Sequence, residues 1–393
     1  MTPSPRRGRK LAAAALVLLL LGTGCDQPAA APTQTPVRIG LLTSLSGIYS
    51  TIGQDLRDGF QLYLDEHGGE LGGRPITLIT ADEGSGPGIA TPAATKLIND
   101  DKVVALTGIV SGDSFAAIAP LTTAARIPLI GSNSRPDIED VSYIWTTSYM
   151  SSDAGTAIAG YIRDHIDGPV FAIGPDFQGG WDNLSGFTTR FLQEGGRLAN
   201  PDGQTLFTPY PGTTDFMPYL SSIAGSGAKA VYCFYAGADA INFVQQYAQS
   251  PASDIPLYAA GFATEGPVLA AQGPAAEGMH TVLSYSPDLD NEVNRQFVRN
   301  WQAKHNNTLP TVFAMNSYDA AYVLDQAIAA ISGPVTSENL NDALGRLGQL
   351  QSPRGTWSFN DKHGPVQRWY LRRVAMDGRT LSNLVVQTLD TVG

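Results

Sequence analysis

The sequence predicts an α/β fold of two lobes, each a parallel sheet covered by helices, with a ligand cleft between them. Three observations carry this expectation. From Val37 onward, short β-rich runs alternate with amphipathic helical stretches, the pattern of parallel strands joined by helical crossovers. The alternation breaks and restarts near residue 150, and polar stretches separate the two sets and reconnect them later. About 360 residues follow the N-terminal leader, enough for two domains.

The elements follow in order. Val37 to Leu42 reads as a strand, and Ile52, Leu56, Phe60, Tyr63 and Leu64 then fall at helical spacing. Ile76 to Thr80 precedes a helix near Ile89 to Ile98, Val103 to Thr107 precedes one near Asp113 to Ala124, and Pro128 to Ile130 is a further strand. The second set comprises Val170 to Ile173, a helix from Gly180 to Gln193, strand Ala230 to Phe234, helix Ala238 to Gln249 and strand Pro256 to Ala259. Trp145 to Asp153 and Thr281 to Pro287 read as polar crossings. Two helices follow, one facing Val293, Phe297 and Trp301 inward, the other Tyr318 and Tyr322. Gly355 to Phe359 and Arg368 to Val374 form a β-rich tail. The expected boundaries are a leader over 1–24, a tether over 25–36, one lobe from 37–150 plus 285–352, and a second from 151–284 plus 353–393.

The leader has its own logic. Arg6, Arg7, Arg9 and Lys10 precede an apolar run of 11 residues, Leu11 to Leu21, too short to span a bilayer and suited to a signal-peptide core. Leu20 to Cys25 (LLGTGC) resembles a bacterial lipobox, although Gly22 stands where such motifs usually carry leucine. Cys25 is therefore the expected lipid-attachment residue, and DQPAAAPTQTP after it reads as a flexible tether. The expected location is the extracytoplasmic face of the cytoplasmic membrane. Cys233, inside an apolar run, reads as a small buried hydrophobe.

Composition narrows the function. Without residues 1–24, which hold four bases and no acids, the chain carries 36 acids against 21 bases, so nucleic acid is not an expected partner. His67, His165, His280, His305 and His363 are scattered, with no metal-ligand spacing. In Gly108 to Gly112 (GIVSG) the serine stands one place late for a nucleophile elbow. Glu83 to Gly88 (EGSGPG) lacks a phosphate-loop pattern and reads as a helix-entry turn. Neither an enzyme nor a cofactor or metal is expected.

Two loops remain. Ser111 to Ser114 (SGDS) follows one strand and opens a helix; Gly131 to Ser134 (GSNS) follows the next. Helix capping explains either loop alone. Two such loops after consecutive parallel strands open toward one crevice, where backbone N–H groups and hydroxyls can hold an anion.

These residues carry a resemblance across nearly the whole chain after the leader. Val37 to Gly47 (VRIGLLTSLSG), Gly108 to Ser114 (GIVSGDS), Ile127 to Ser134 (IPLIGSNS), Asp176 to Gly180 (DFQGG), Val231 to Gly237 (VYCFYAG) and Asn316 to Ala321 (NSYDAA) resemble, in order, motifs of the leucine/isoleucine/valine-binding proteins. These are type I periplasmic binding proteins of ABC importers. The resemblance implies two Rossmann-like lobes, three crossovers, closure on a small ligand, and a monomer working with membrane permease subunits. A sensory receptor of the same fold is the alternative.

Carried over by position, the ligand carboxylate would meet Ser111, Gly112, Ser132, Asn133 and Ser134. Gly261 stands where the family places the acid that holds a ligand ammonium. Two family tyrosines align with Gly179 and Ala236, with Tyr235, Trp181 and Phe262 beside them. The resemblance thus implies a reshaped, aromatic-lined pocket for a carboxylate without an α-ammonium. The competing expectation is an amino acid, with Glu265 or Asp113 supplying the countercharge.

Overall fold

The computed structural model describes residues 35–393; the leader and Cys25 lie outside them. Two sheets organise this region. The first runs, in spatial order, Glu70–Leu71, Arg74–Asp82, Val37–Thr43, Ala105–Gly108, Leu129–Gly131, Ile144–Thr146. All its pairs are parallel except the short antiparallel pairing of Glu70–Leu71 with Arg74–Asp82. The second begins Leu206–Thr208, Val170–Pro175, Ala230–Cys233, Leu257–Ala260, His280–Leu283, all parallel. It continues with antiparallel strands Pro365–Asp377, Gly355–Phe359 and Leu350–Ser352, and Thr380–Val392 pairs with Pro365–Asp377.

The second sheet is therefore mixed, where the sequence led us to expect parallel strands and, in the same lobe, a β-rich tail. Arg368 to Val374 pairs directly with His280–Leu283, which makes the tail part of the sheet. His280–Leu283 itself falls largely in a stretch read as a crossing, and Ile144–Thr146 and Tyr149–Met150 fall in or at the edge of another. Polar residues in these strands, such as Thr146 and Thr281, are fully buried and hydrogen-bonded. Polarity alone made them look like connections.

In each parallel set the first strand is central; the next goes to one side and the third to the other. Such a reversal opens a crevice at the carboxyl ends of the strands. The long helix Val312–Ala329 packs against Ser50–Glu66, close enough that a Cβ on Gly59 would come within 2.0 Å of the Ala314 carbonyl oxygen. Its Asp319 is fully buried and bound by Arg354, Nη2 to Oδ2 at 2.6 Å. Arg354 also donates to the carbonyls of Thr147 and Ser148 and to Gln367, so one side chain ties the connection after the first sheet to the strands that complete the second. No described helix is long and apolar enough to cross a membrane.

Candidate functional site

A cleft of about 400 Å³ lies between the two sheets. The loops around both central strands supply it: Ile48, Tyr49 and Val110 to Asp113 from the first set, Phe177 to Gly179, Phe234 and Ala236 from the second. Four helices begin here. Ser50–Glu66, Gly112–Ala125, Gln178–Gln193 and Gly237–Tyr247 have Tyr49, Ser111, Phe177 and Ala236 at their N-caps, and all four residues line the cleft. None of the four carries a side-chain cap; of the other described α-helices, three are capped, by Asn291, Thr311 and Thr336, and four are likewise uncapped. Uncapped N-termini expose N–H groups and the positive ends of helix dipoles. Among the described lining residues there is no lysine, arginine or histidine, and Asp113, on the exposed rim, is the sole acid.

The walls are aromatic. Tyr49, Tyr149, Phe177, Tyr210, Phe234, Phe262 and Phe313 line the space. Phe177 stacks on Tyr210 with centroids 4.5 Å apart, and Tyr149 lies 4.9 Å from Phe262. Tyr49 and Tyr210 come from opposite sides and share a hydrogen bond between hydroxyls, 2.7 Å. Burial, then this bond, raises the Tyr49 phenol well above its ordinary pKa, so its hydroxyl is neutral.

The polar floor is tightly organised. Asn133 donates from Nδ2 to the Val110 carbonyl at 2.7 Å and accepts from the Tyr149 hydroxyl. The Ser134 and Ser151 hydroxyls meet at 2.6 Å, and Ser151 also reaches the Arg135 carbonyl at 3.1 Å. Glu83, fully buried, accepts from the Val110 and Ser111 N–H groups at 2.7 and 2.8 Å. Gly108 and Ile109 both have positive φ, 103° and 61°, uncommon for a β-branched residue and a sign of stored strain. Glu83 holds that loop from beneath.

The structure brings Ser111, Gly112, Asn133, Ser134, Ala236 and Phe262 to the cleft. It does not bring four others there. Ser132 is fully buried, with its hydroxyl 3.3 Å from that of Thr107. Tyr235 points into the core behind its strand and bonds Thr208; its neighbour Phe234 takes the cleft side. Trp181 is 45% exposed and donates to Asp176. Gly261 is buried against Arg372 and Leu283, and a Cβ there would lie 2.8 Å from Arg372 Nη2. Glu265, the candidate countercharge, is instead paired with Arg372 and accepts from the Val312 N–H. Sequence reasoning missed Tyr49, Tyr149, Phe177, Tyr210, Phe313, Ser151 and Glu83. Phe177 lay within a quoted motif, two residues before Gly179, and Glu83 opened the EGSGPG run read as a helix-entry turn; the others carried no comparable signal.

With this geometry, comparison with known proteins is informative. The chain matches the periplasmic binding protein family over residues 36–379 and belongs to it, as a type I protein of the leucine/isoleucine/valine-binding group. It is 26% identical to the Leu/Ile/Val-binding protein homolog 6 of Brucella melitensis, over 98% of each chain. A solute-binding protein of an ABC transporter from R. palustris, in complex with benzoate, is 31% identical with a TM-score of 0.80, covering 91% of this chain and 98% of that one. Another from Rhodopseudomonas palustris HaA2, in complex with p-hydroxybenzoic acid, is 26% identical with a TM-score of 0.83, covering 90% and 97%. The protein is an ABC-transporter substrate-binding protein of the extracytoplasmic compartment, binding small molecules and working with permeases rather than catalysing a reaction.

Proposed function

We propose that this protein binds an aromatic carboxylate and delivers it to its permease by closure of the two lobes. The observation that carries the reading is the cleft itself: four uncapped helix N-termini and a set of hydroxyls meet seven aromatic side chains, with no unpaired buried acid among the lining residues. The helix ends favour an anion, and the rings give a flat apolar partner its contact area. An α-ammonium would enter a partly desolvated space without a buried countercharge, the only acid among the described lining residues being Asp113 on the exposed rim; this costs several kcal/mol. The benzoate and p-hydroxybenzoate complexes of related proteins fit the same chemistry.

Titration calorimetry with benzoate, 4-hydroxybenzoate, phenylalanine and leucine tests this. The acids should bind at least tenfold tighter than the amino acids. Leucine or phenylalanine binding as tightly as the acids would overturn it and favour the second reading, an amino-acid-binding protein, to which the Brucella relatives point.

The remaining parts of the proposal concern organisation. The lobes comprise 37–150 plus 285–352 and 151–284 plus 353–393, hinging at the crossovers as two-lobed receptors do. The chain acts as a monomer, tethered to the membrane through lipid on Cys25 after removal of residues 1–24.

A further inference from the structure

Glu83 is a carboxylate placed one layer behind an anion site. Its two oxygens take the Val110 and Ser111 N–H groups, and Val110, Ser111 and Gly112 line the cleft. The buried hydroxyls of Ser44 and Ser114 stand beside it with no other partner. Among the described residues no cation forms an ion pair with it. On its own side of the sheet the nearby acids are Asp82, which is bound to Leu45, Ser46 and Gly84, and Asp113 on the helix that follows the loop. Of the cations on the neighbouring elements, Arg38 and Lys96 lie at the far ends and bond Asp101, and Arg126 caps the far end of helix Gly112–Ala125. Tyr49, the titratable group of the adjoining loop, stays neutral.

We propose that Glu83 is the positioning residue of the anion-binding loop, and that binding of a ligand carboxylate is accompanied by uptake of a proton from solvent onto the Glu83 carboxyl. The inference rests on the carboxylate reading of the cleft. Two carboxylates served by one short loop repel each other across a poorly screened interior, and protonating the buried one relieves this. Burial already pushes the Glu83 carboxyl above the usual carboxylate range, against the pull of its hydrogen bonds. The balance is simple: a ligand anion and a solvent proton enter together, and the complex gains no net charge. Affinity therefore rises as pH falls, by up to tenfold per pH unit within the window between the free and bound pKa values.

The test is calorimetry of the wild-type protein with benzoate and with leucine, each in phosphate and in imidazole buffer at the same pH. Both probes bring a carboxylate to the loop, so whichever binds reports the linkage. We expect the binding enthalpy to differ between buffers by the amount that uptake of a sizeable fraction of a proton requires. Glu83→Gln, which fixes the neutral form, should abolish that difference, while Asp153→Asn, at another buried acid near the cleft, should leave the difference intact. Equal enthalpies in both buffers would overturn the proposal even if no variant folds. So would a difference that survives Glu83→Gln or disappears in Asp153→Asn. Silence with benzoate but proton-linked leucine binding overturns the aromatic-acid reading and leaves this one standing; silence with both overturns both.

Discussion

Arg372 and Glu265 form a buried ion pair, Nη1 to Oε1 at 2.7 Å, beside the aromatic wall of the cleft. The guanidinium also reaches Thr281, the Tyr285 carbonyl and the Gly261 carbonyl. Glu265 in turn accepts from Val312, the neighbour of cleft residue Phe313. The pair thus neutralises the buried acid that was a candidate partner for a ligand ammonium, leaving, among the described lining residues, only Asp113 on the exposed rim, and it fills the volume above Gly261.

Removing one partner of a buried pair leaves an uncompensated charge. Arg372→Met should destabilise the protein by about 3 to 5 kcal/mol, and adding Glu265→Gln should recover part of the loss. Urea unfolding of the two variants checks this; equal losses would show that the ion pair is not what Arg372 supplies. Gly261→Ala should also be destabilising, since its Cβ would meet Arg372 Nη2 at 2.8 Å and Leu283 Cβ at 2.9 Å.

Ser134 is a cleft hydroxyl bonded to Ser151. Ser151 gives its own proton to the Arg135 carbonyl, so the Ser134 proton points at Ser151 here and is the one a ligand carboxylate would draw away. Ser134→Ala should weaken acid binding by about 1 to 3 kcal/mol. Unchanged calorimetric affinity, with Ser111→Ala also silent, would place the carboxylate elsewhere.

Asp153 is buried and accepts from the Met150 N–H at 2.8 Å. Burial raises its pKa to about 7, above the value of an unfolded aspartate, against smaller contributions from that bond and from Arg135. A raised folded pKa means that the native state binds the proton more tightly, so this stability is complete below about pH 4 and is lost as pH rises through about 7. Asp55, raised by burial to about 6, has the same sign. Asp153→Asn should therefore lose less stability than wild type between pH 5 and pH 8, by about 1 to 4 kcal/mol. Parallel pH profiles for the two proteins in urea unfolding would count against it.

Cys25→Ser should release the protein from the membrane fraction without altering its fold, because the described domain starts beyond the tether. Fractionation with blotting reads this directly. A mutant with a cleaved leader that stays in the membrane would argue against lipid attachment.

The sequence by itself determined the α/β class, the two sets of elements and the two serine loops. These follow from periodicity and from short-range patterns at strand ends, which are local. Tertiary structure decided which side chains those loops present. In the short connection between strand Ala230–Cys233 and helix Gly237–Tyr247, Phe234 lines the cleft while Tyr235 enters the core, and nothing in a run of two aromatics distinguishes them. The tail from Pro365 joined the second sheet through pairing with His280–Leu283, some ninety residues distant in sequence, a non-local contact that periodicity does not encode. The acids diverged most: in the sequence Glu83 reads as the start of a helix-entry turn and Glu265 as a candidate countercharge for a ligand. Whether a carboxylate faces water, a backbone N–H or a guanidinium depends on what the rest of the chain folds against it, and here the fold buries both beside the ligand site.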